Sequence, residues 1–253
     1  MGHRMTRTVG PQRRFPKPID TTDSGGQNIR MWLPETTGPA PLIIWCHPQG
    51  GTQTIGIGYF AYHLVHAALQ EGWSFAASAT HGADSWSSNA AVADITNLRA
   101  AVHAARPVSS VVLLGASMGG CLASVVAKEA AVPDLRGVYL IDPAVNLEWM
   151  YDNGYSTSIN TGFGISSKAA IPTGKDPVND FTGASLPAGL RWRSTASVTD
   201  ASVSKTNCID LFRPIIQASS PAEESYFTHL GNHIPSSAAW PADLVAFGHR
   251  CFD

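Results

Sequence analysis

Ser110-Val111-Val112-Leu113-Leu114-Gly115-Ala116-Ser117-Met118-Gly119-Gly120-Cys121-Leu122-Ala123-Ser124-Val125-Val126 is the stretch on which the reading of this chain turns. Residues 111–114 form a short apolar run with a β-branched start, the character of a buried strand. The run stops at Gly115-Ala116-Ser117-Met118-Gly119, which fits G-x-S-x-G, and Leu122, Val125 and Val126 then follow at helical spacing. Strand, tight turn of small residues, helix: this is the setting of a nucleophile elbow. Gly115 and Gly119 allow close approach of neighbouring backbones, and a serine on so sharp a turn takes strained backbone angles. The helix start behind Ser117 directs unpaired N–H groups and a positive dipole end toward a developing oxyanion. Chemistry at such a serine needs a base, an acid and a second oxyanion donor, in the chain order Ser, Asp/Glu, His.

Upstream of this stretch, residues 1–27 are polar and rich in basic residues, Pro and Gly, and read as a loose lead-in with room for a short edge strand. A strand is predicted at 29–33, ended by Pro34, and a central one at 42–46, whose unbroken apolar run suits a strand covered on both faces. It leads into His47-Pro48-Gln49-Gly50-Gly51-Thr52, a Gly-rich loop placed to supply the second oxyanion donor. Pro48 has no N–H to give, so the loop's donor is expected to be Gln49, with Gly50 behind it, and the elbow's own donor Met118. The spacing predicts a helix over 59–70 and a strand over 73–79. His63 and His66 share a face of that helix, but a metal site needs further ligands, and no metal is assigned. The loop 81–89 lies at the carboxyl edge of the sheet, where open α/β sheets bind ligands, so His81 and Trp86 are candidate cleft residues. Ala91, Ile95, Leu98 and Val102 then mark an amphipathic helix closed by Pro107.

Downstream, a strand at 137–141 ends in Asp142-Pro143. From 144 to 190 the periodicity dissolves among aromatics (Trp149, Tyr151, Tyr155, Phe163, Phe181), glycines and small polar residues. A stretch this long without clear pattern is usually functional in a compact domain. It is expected to be an irregular lid, with Trp149 as a third substrate-contacting candidate. A strand returns at 190–197, followed by Asp200 with Val203 three residues on. Residues 204–219 look helical, although Pro214 must kink or restart the helix. The last strand, 224–230, runs into Gly231-Asn232-His233, and a closing helix is expected at 239–247. His233 is preferred over His229 because His229 falls inside the strand. Asp200 is preferred over Asp142, which also follows a strand. Ser117, Asp200 and His233 then have the roles of nucleophile, acid and base.

Composition narrows the function. The 253 residues are 44% hydrophobic, enough for one sizeable core, with 17 basic against 19 acidic residues and a net charge of −2. There is no basic stripe for nucleic acid and no apolar run of membrane-spanning length. The N-terminus lacks a signal peptide's apolar region. Serine-based acyl transfer requires no cofactor. The four cysteines, at 46, 121, 208 and 251, form neither a zinc spacing nor a dense disulfide framework. Cys46 and Cys121 read as buried apolar residues, and Cys208 with Cys251 is left as a candidate pair.

Over about residues 28–250 the sequence resembles the α/β-hydrolase superfamily, on the elbow, the 47–51 loop, Asp200 with Val203, and Gly231-Asn232-His233. The resemblance implies an α/β fold with a mostly parallel central sheet, helices on both faces and a lid insertion at 144–190 within a single domain, 28–253. More loosely, His81-Gly82 with Trp86, Asp176-Pro177 with Phe181, and residues 200–207 resemble compact hydrolase domains of actinobacterial phage tail proteins and secreted esterases, which implies a secreted or particle-associated setting. Two function classes follow. One is a serine esterase acting on a small-molecule, lipid or acylated-glycan ester, with a peptidase or amidase as its close variant. The other is a binding or adhesion module on a hydrolase scaffold, which would have no chemical need for Ser, Asp and His together.

Overall fold

Period-two alternation in the central strands sets the layering. In β5 (Val108–Ala116), Val111 and Leu113 pack into one apolar cluster while Val112, Leu114 and Ala116 pack into another on the opposite face. The same division runs through β3 (Ala40–Cys46), with Leu42, Ile44 and Cys46 on one side and Ile43 and Trp45 on the other. Side chains alternate across a strand, so two buried sets mean that both faces are covered. The computed structural model describes residues 16–54, 61–235 and 240–253.

Within them, eight strands form one sheet in the order β1-β2-β4-β3-β5-β6-β7-β8. β1 (Ile19–Thr22) and β2 (Asn28–Trp32) are antiparallel to each other, and β2 is antiparallel to β4 (Ser74–Ser78). From β4 through β3, β5, β6 (Leu135–Ile141), β7 (Arg191–Ser197) and β8 (Glu223–His229) every pairing is parallel. Helices α1 (Tyr62–Gln70) and α8 (Pro241–Phe252) cover one face through Leu64, Val65, Leu244 and Phe247. Helices α2 (Asn89–Ala105), α3 (Met118–Lys128) and α7 (Ile209–Ala218) cover the other through Ile95, Leu98, Val125 and Phe212. Each fully buried aliphatic or aromatic side chain of this kind contributes about 1.5–3 kcal/mol.

The structure adjusts several expectations. The lead-in supplies β1, an exposed strand against β2. The predicted helix start at 59 and 60 lies outside the described residues. Pro214 neither breaks nor restarts α7: the helix runs from Ile209 through Ala218 with Pro214 inside it. Residues 205–208 are turns instead. The closing helix extends to Phe252. The 144–190 stretch is more regular than its pattern suggested. It holds α4 (Leu147–Met150), a π turn at Tyr151–Tyr155, α5 (Ser156–Phe163) and α6 (Pro177–Asp180). These are too short for a 3.6-residue pattern to emerge, and caps fix them. Asn146 accepts from Trp149 N–H, Gly164 closes α5 at φ 65°, and the Asp176 side chain accepts from Val178 and Asn179 N–H.

Cys208 and Cys251 do not pair. Cys208 belongs to the core on the α7 side of the sheet and Cys251 to the core on the α8 side, and all four cysteines are free and buried. Burial pushes the thiols of Cys46, Cys208 and Cys251 up to about 12, and Cys121 up as well. The folded protein is therefore expected to leave all four thiols unreacted with a thiol-disulfide reagent at pH 8, and to give four equivalents only after denaturation. Fast reaction of any thiol in the native state would contradict this packing.

Candidate active site

Ser117 sits between β5 and α3 with φ 51° and ψ −121°, a region that non-glycine residues seldom occupy. Three backbone bonds hold it there. Its N–H donates to Ile141 O at 2.9 Å, and its carbonyl accepts from Gly120 and Ala144 N–H at 2.9 and 3.0 Å. The flanking glycines have a steric cause. A Cβ on Gly119 would lie 1.9 Å from the Cys46 carbonyl oxygen, and one on Gly115 would lie 2.4 Å from the Gly119 carbonyl oxygen. Real side chains do not fit at either distance, so the turn needs glycine on both sides of the serine.

The loops after β7 and β8 bring two further groups to Ser117. Past β7, Asp200 Oδ1 accepts from the N–H groups of Ser202 and Val203 at 2.7 and 2.9 Å, while Val203 is buried in the core. This turn aims the other oxygen outward. Past β8, Gly231 at φ 123° turns the chain so that His233 reaches back over the sheet edge. His233 Nδ1–H donates to Asp200 Oδ2 at 2.6 Å, and His233 Nε2 accepts from Ser117 Oγ at 2.7 Å. Burial alone would raise the Asp200 carboxyl. The bond from His233 and the two backbone N–H groups outweigh it and hold the carboxyl below its ordinary value. The carboxylate therefore fixes the imidazole in the tautomer that can accept the serine proton.

The loop after β3 closes the other side. His47 is buried, and burial keeps its ring below the ordinary 6.5 despite the facing carbonyls of Pro48 and Ala79. Its Nδ1–H donates to Pro48 O at 2.8 Å, and its Nε2 accepts from Thr80 Oγ1 at 2.6 Å. Gly50 N–H is taken by Ala83 O and Gly51 N–H by Pro48 O. Pro48 has none, and among the described residues the Gln49 N–H has no acceptor. The Gln49 side chain is anchored too, its Nε2 donating to Asp84 Oδ1 at 2.9 Å.

Of the three proposed cleft residues, the structure puts each in a different setting. His81 is exposed and bonded through Nδ1 to the buried Asp94 at 2.6 Å. Trp86 is buried beneath α5, its indole N–H donating to Ser158 Oγ at 2.8 Å and its backbone N–H facing Met118 Sδ. It packs the layer under the loop instead of presenting an open face. Trp149 is half-buried at the start of the 144–190 segment. Sequence reasoning missed Asp84, whose Oδ1 also accepts from Ser158 Oγ at 2.7 Å and so joins the 47–51 loop to α5. A Gly162 Cβ would meet Asp84 O at 2.1 Å, so this glycine was the available signal that α5 presses on the 81–89 loop. Asp142, weighed as a rival acid, does not bond His233. Its oxygens accept from Ser197 N–H, Ile234 N–H and His229.

Among the described residues, one group of carboxylates and imidazole comes within metal-holding reach, Asp142, Asp200 and His233, with ligand atoms within 4.8 Å of one another. Both carboxylates already accept protein donors on each oxygen. No described helix is long and apolar enough to cross a membrane.

Comparison with solved structures places this architecture. The substrate-bound fluorophosphonate-binding serine hydrolase F of Staphylococcus aureus superposes with a TM-score of 0.74 at 14% identity, covering 94% of this chain and 98% of that one. This chain has the α/β-hydrolase fold. A thermostable esterase from Pseudomonas putida gives a TM-score of 0.70 at 16% identity over 94% of this chain and 83% of that one. The acylaminoacyl peptidase of Pyrococcus horikoshii gives 0.74 at 10% identity over 95% of this chain, which spans 42% of the peptidase. No family model and no curated protein sequence matches the chain.

Two expectations attach to this geometry. Gly119→Ala must move the Cys46 carbonyl or the elbow itself, and is expected to cost about 1–3 kcal/mol, read as a lower denaturation midpoint. Asp200 titrates below its ordinary 3.8 in the fold, so its contribution is complete above that value and is lost as pH falls through the folded pKa. Wild type is therefore expected to be more stable than Asp200→Asn near neutral pH, with the gap closing as the pH is lowered below 3.8 in a series of urea titrations.

Proposed function

We propose that the protein is a serine hydrolase that cleaves carboxylic esters through an acyl-enzyme on Ser117. The observation that carries this reading is the unbroken hydrogen-bond chain from Ser117 Oγ to His233 Nε2 and from His233 Nδ1 to Asp200, at 2.7 and 2.6 Å. In the reaction, Ser117 Oγ attacks the ester carbonyl carbon and gives its proton to His233 Nε2. The carbonyl carbon–alkoxy bond then breaks, and His233 returns that proton to the departing alcohol. Water repeats the sequence on the acyl-serine, releasing the acid and restoring Ser117. Asp200 stays ionised and holds the imidazolium. The Met118 and Gln49 N–H groups receive the oxyanion, and loss of one such donor typically costs about 3–4 kcal/mol of transition-state stabilisation.

Ester cleavage is favoured over amide cleavage by the company the fold keeps, since the Pseudomonas putida neighbour is an esterase matched over most of both chains. The acylaminoacyl peptidase is matched over less than half of its own length. The 144–190 segment acts as the lid, and its aromatics give the acyl group or a sugar ring an apolar surface, which suits acylated glycans or cell-envelope lipids as substrates. His81 and Trp149 border that cleft, with Trp86 supporting it from below. The comparisons lend no support to a phage-particle setting.

The test is a rate series on p-nitrophenyl esters of increasing acyl length beside matched anilides. Wild type is expected to turn over esters, with Ser117→Ala and His233→Ala each lowering kcat/KM by about 10⁴-fold or more and Asp200→Asn by a comparable factor. Faster turnover of anilides than of the matched esters would replace the esterase reading with a peptidase. Ester turnover that survives Ser117→Ala would remove the serine from the mechanism.

A further inference from the structure

A second imidazole–carboxylate pair lies beside the first, and no step of the ester chemistry uses it. His229 Nε2 stands 3.1 Å from Asp142 Oδ1, with the side chains 7% and 1% exposed. Asp142 follows β6 directly and is held in the left-handed region at φ 42°, its own N–H donating to Thr195 O. Its carboxylate accepts three hydrogen bonds from separate segments. Ser197 N–H, at the end of β7 and three residues before Asp200, donates to Oδ1 at 2.7 Å. His229, at the end of β8 and four residues before His233, donates to the same oxygen. Ile234 N–H, the residue after His233, donates to Oδ2 at 2.9 Å.

The Ile234 bond bears most weight. Ile234 has φ 42°, where a β-branched side chain is a true outlier. Such strain persists only where neighbours over-determine the conformation. Ile234 N–H points to a buried carboxylate oxygen, so the strained turn is fixed to the end of β6, one residue past Ile141, whose carbonyl holds Ser117 N–H. A single side chain thus ties the segments bearing the acid and the base to the strand that anchors the nucleophile. An oxygen of Asp142 also lies within 4.8 Å of ligand atoms of both Asp200 and His233.

We propose that Asp142 is a positioning residue for the hydrolysis, setting the His233 ring against Ser117 through its bonds to Ile234, Ser197 and His229. The inference rests on the reading of Ser117, Asp200 and His233 given above. Asp142 touches none of the reacting atoms and acts through His233. Its substitution therefore lowers kcat while leaving KM nearly unchanged, because the ester's binding surface is not altered. Misplacement of a catalytic group by about 1 Å costs on the order of 100-fold.

The experiment measures kcat and KM for the best p-nitrophenyl ester with Asp142→Asn and Asp142→Ala, each in wild-type and His233→Ala backgrounds, with folding checked by circular dichroism. Asp142→Asn is expected to lower kcat about 10- to 100-fold with KM within about threefold. Asp142→Ala is expected to lower it further, since asparagine keeps one acceptor. In the His233→Ala background Asp142→Asn is expected to change the residual rate by less than about twofold, as nothing remains for it to position. If Asp142→Asn does not fold, His229→Phe removes one of the three donors and is expected to reduce kcat severalfold at constant KM. A kcat loss under about threefold for the folded Asp142→Asn, or for His229→Phe in its place no loss, overturns the proposal. So does an equal Asp142→Asn loss with and without His233. Full turnover by His233→Ala alone would instead overturn the underlying assignment of the base.

Discussion

The contact between Gly119 and the carbonyl of Cys46 is the constraint on which the rest of the site depends. With no side chain at position 119, the start of α3 lies directly against the end of β3. The serine turn and the loop that follows β3 therefore share one place at the carboxyl edge of the sheet. A methyl group there would overlap the Cys46 carbonyl and force the two apart. The strained backbone at Ser117 is sustained by the same neighbourhood, with its N–H on the end of β6 and its carbonyl serving two further N–H groups. Rigid parallel strands, buried on both faces, supply the ends from which these short loops are measured.

On that frame the electrostatics are local. Asp200 is desolvated, yet three donors compensate it and hold its carboxyl low. That ionised group, in turn, orients the imidazole facing Ser117. His47, by contrast, is buried without a carboxylate and its ring is pushed down, so it acts as a neutral strut between Pro48 and Thr80. Two histidines near one serine thus receive opposite environments, and the difference follows from which loop delivers a carboxylate to each.

Much of this was legible from sequence because the physics involved is local. The apolar runs of β3 and β5 and the small residues of the elbow need only their own neighbours to be read. The Asp200 and His233 loops were found by counting elements in order, with Val203 and Gly231 as their turn signals. What was not legible depends on contacts between distant segments. The loop position of Trp86 suggests a cleft residue, but Ser158, 72 positions away, satisfies its indole. Nothing in the sequence around Cys208 and Cys251 shows that the sheet lies between them. The short helices of 144–190 are set by caps at Asn146, Asp176 and Gly164, which periodicity does not report. Pro214 inside α7 shows tertiary packing overriding a local breaker: Phe212 and Ile216 on either side of it are fully buried.

The proposed hydrolysis requires that His233 activate Ser117. The most direct measurement is covalent labelling of the intact protein with a fluorophosphonate, read by intact mass and peptide mapping, beside Ser117→Ala and His233→Ala. One adduct per chain is expected, located on Ser117, absent from Ser117→Ala and strongly slowed in His233→Ala. A folded wild-type protein that stays unlabelled, or an adduct on any other residue, would contradict it.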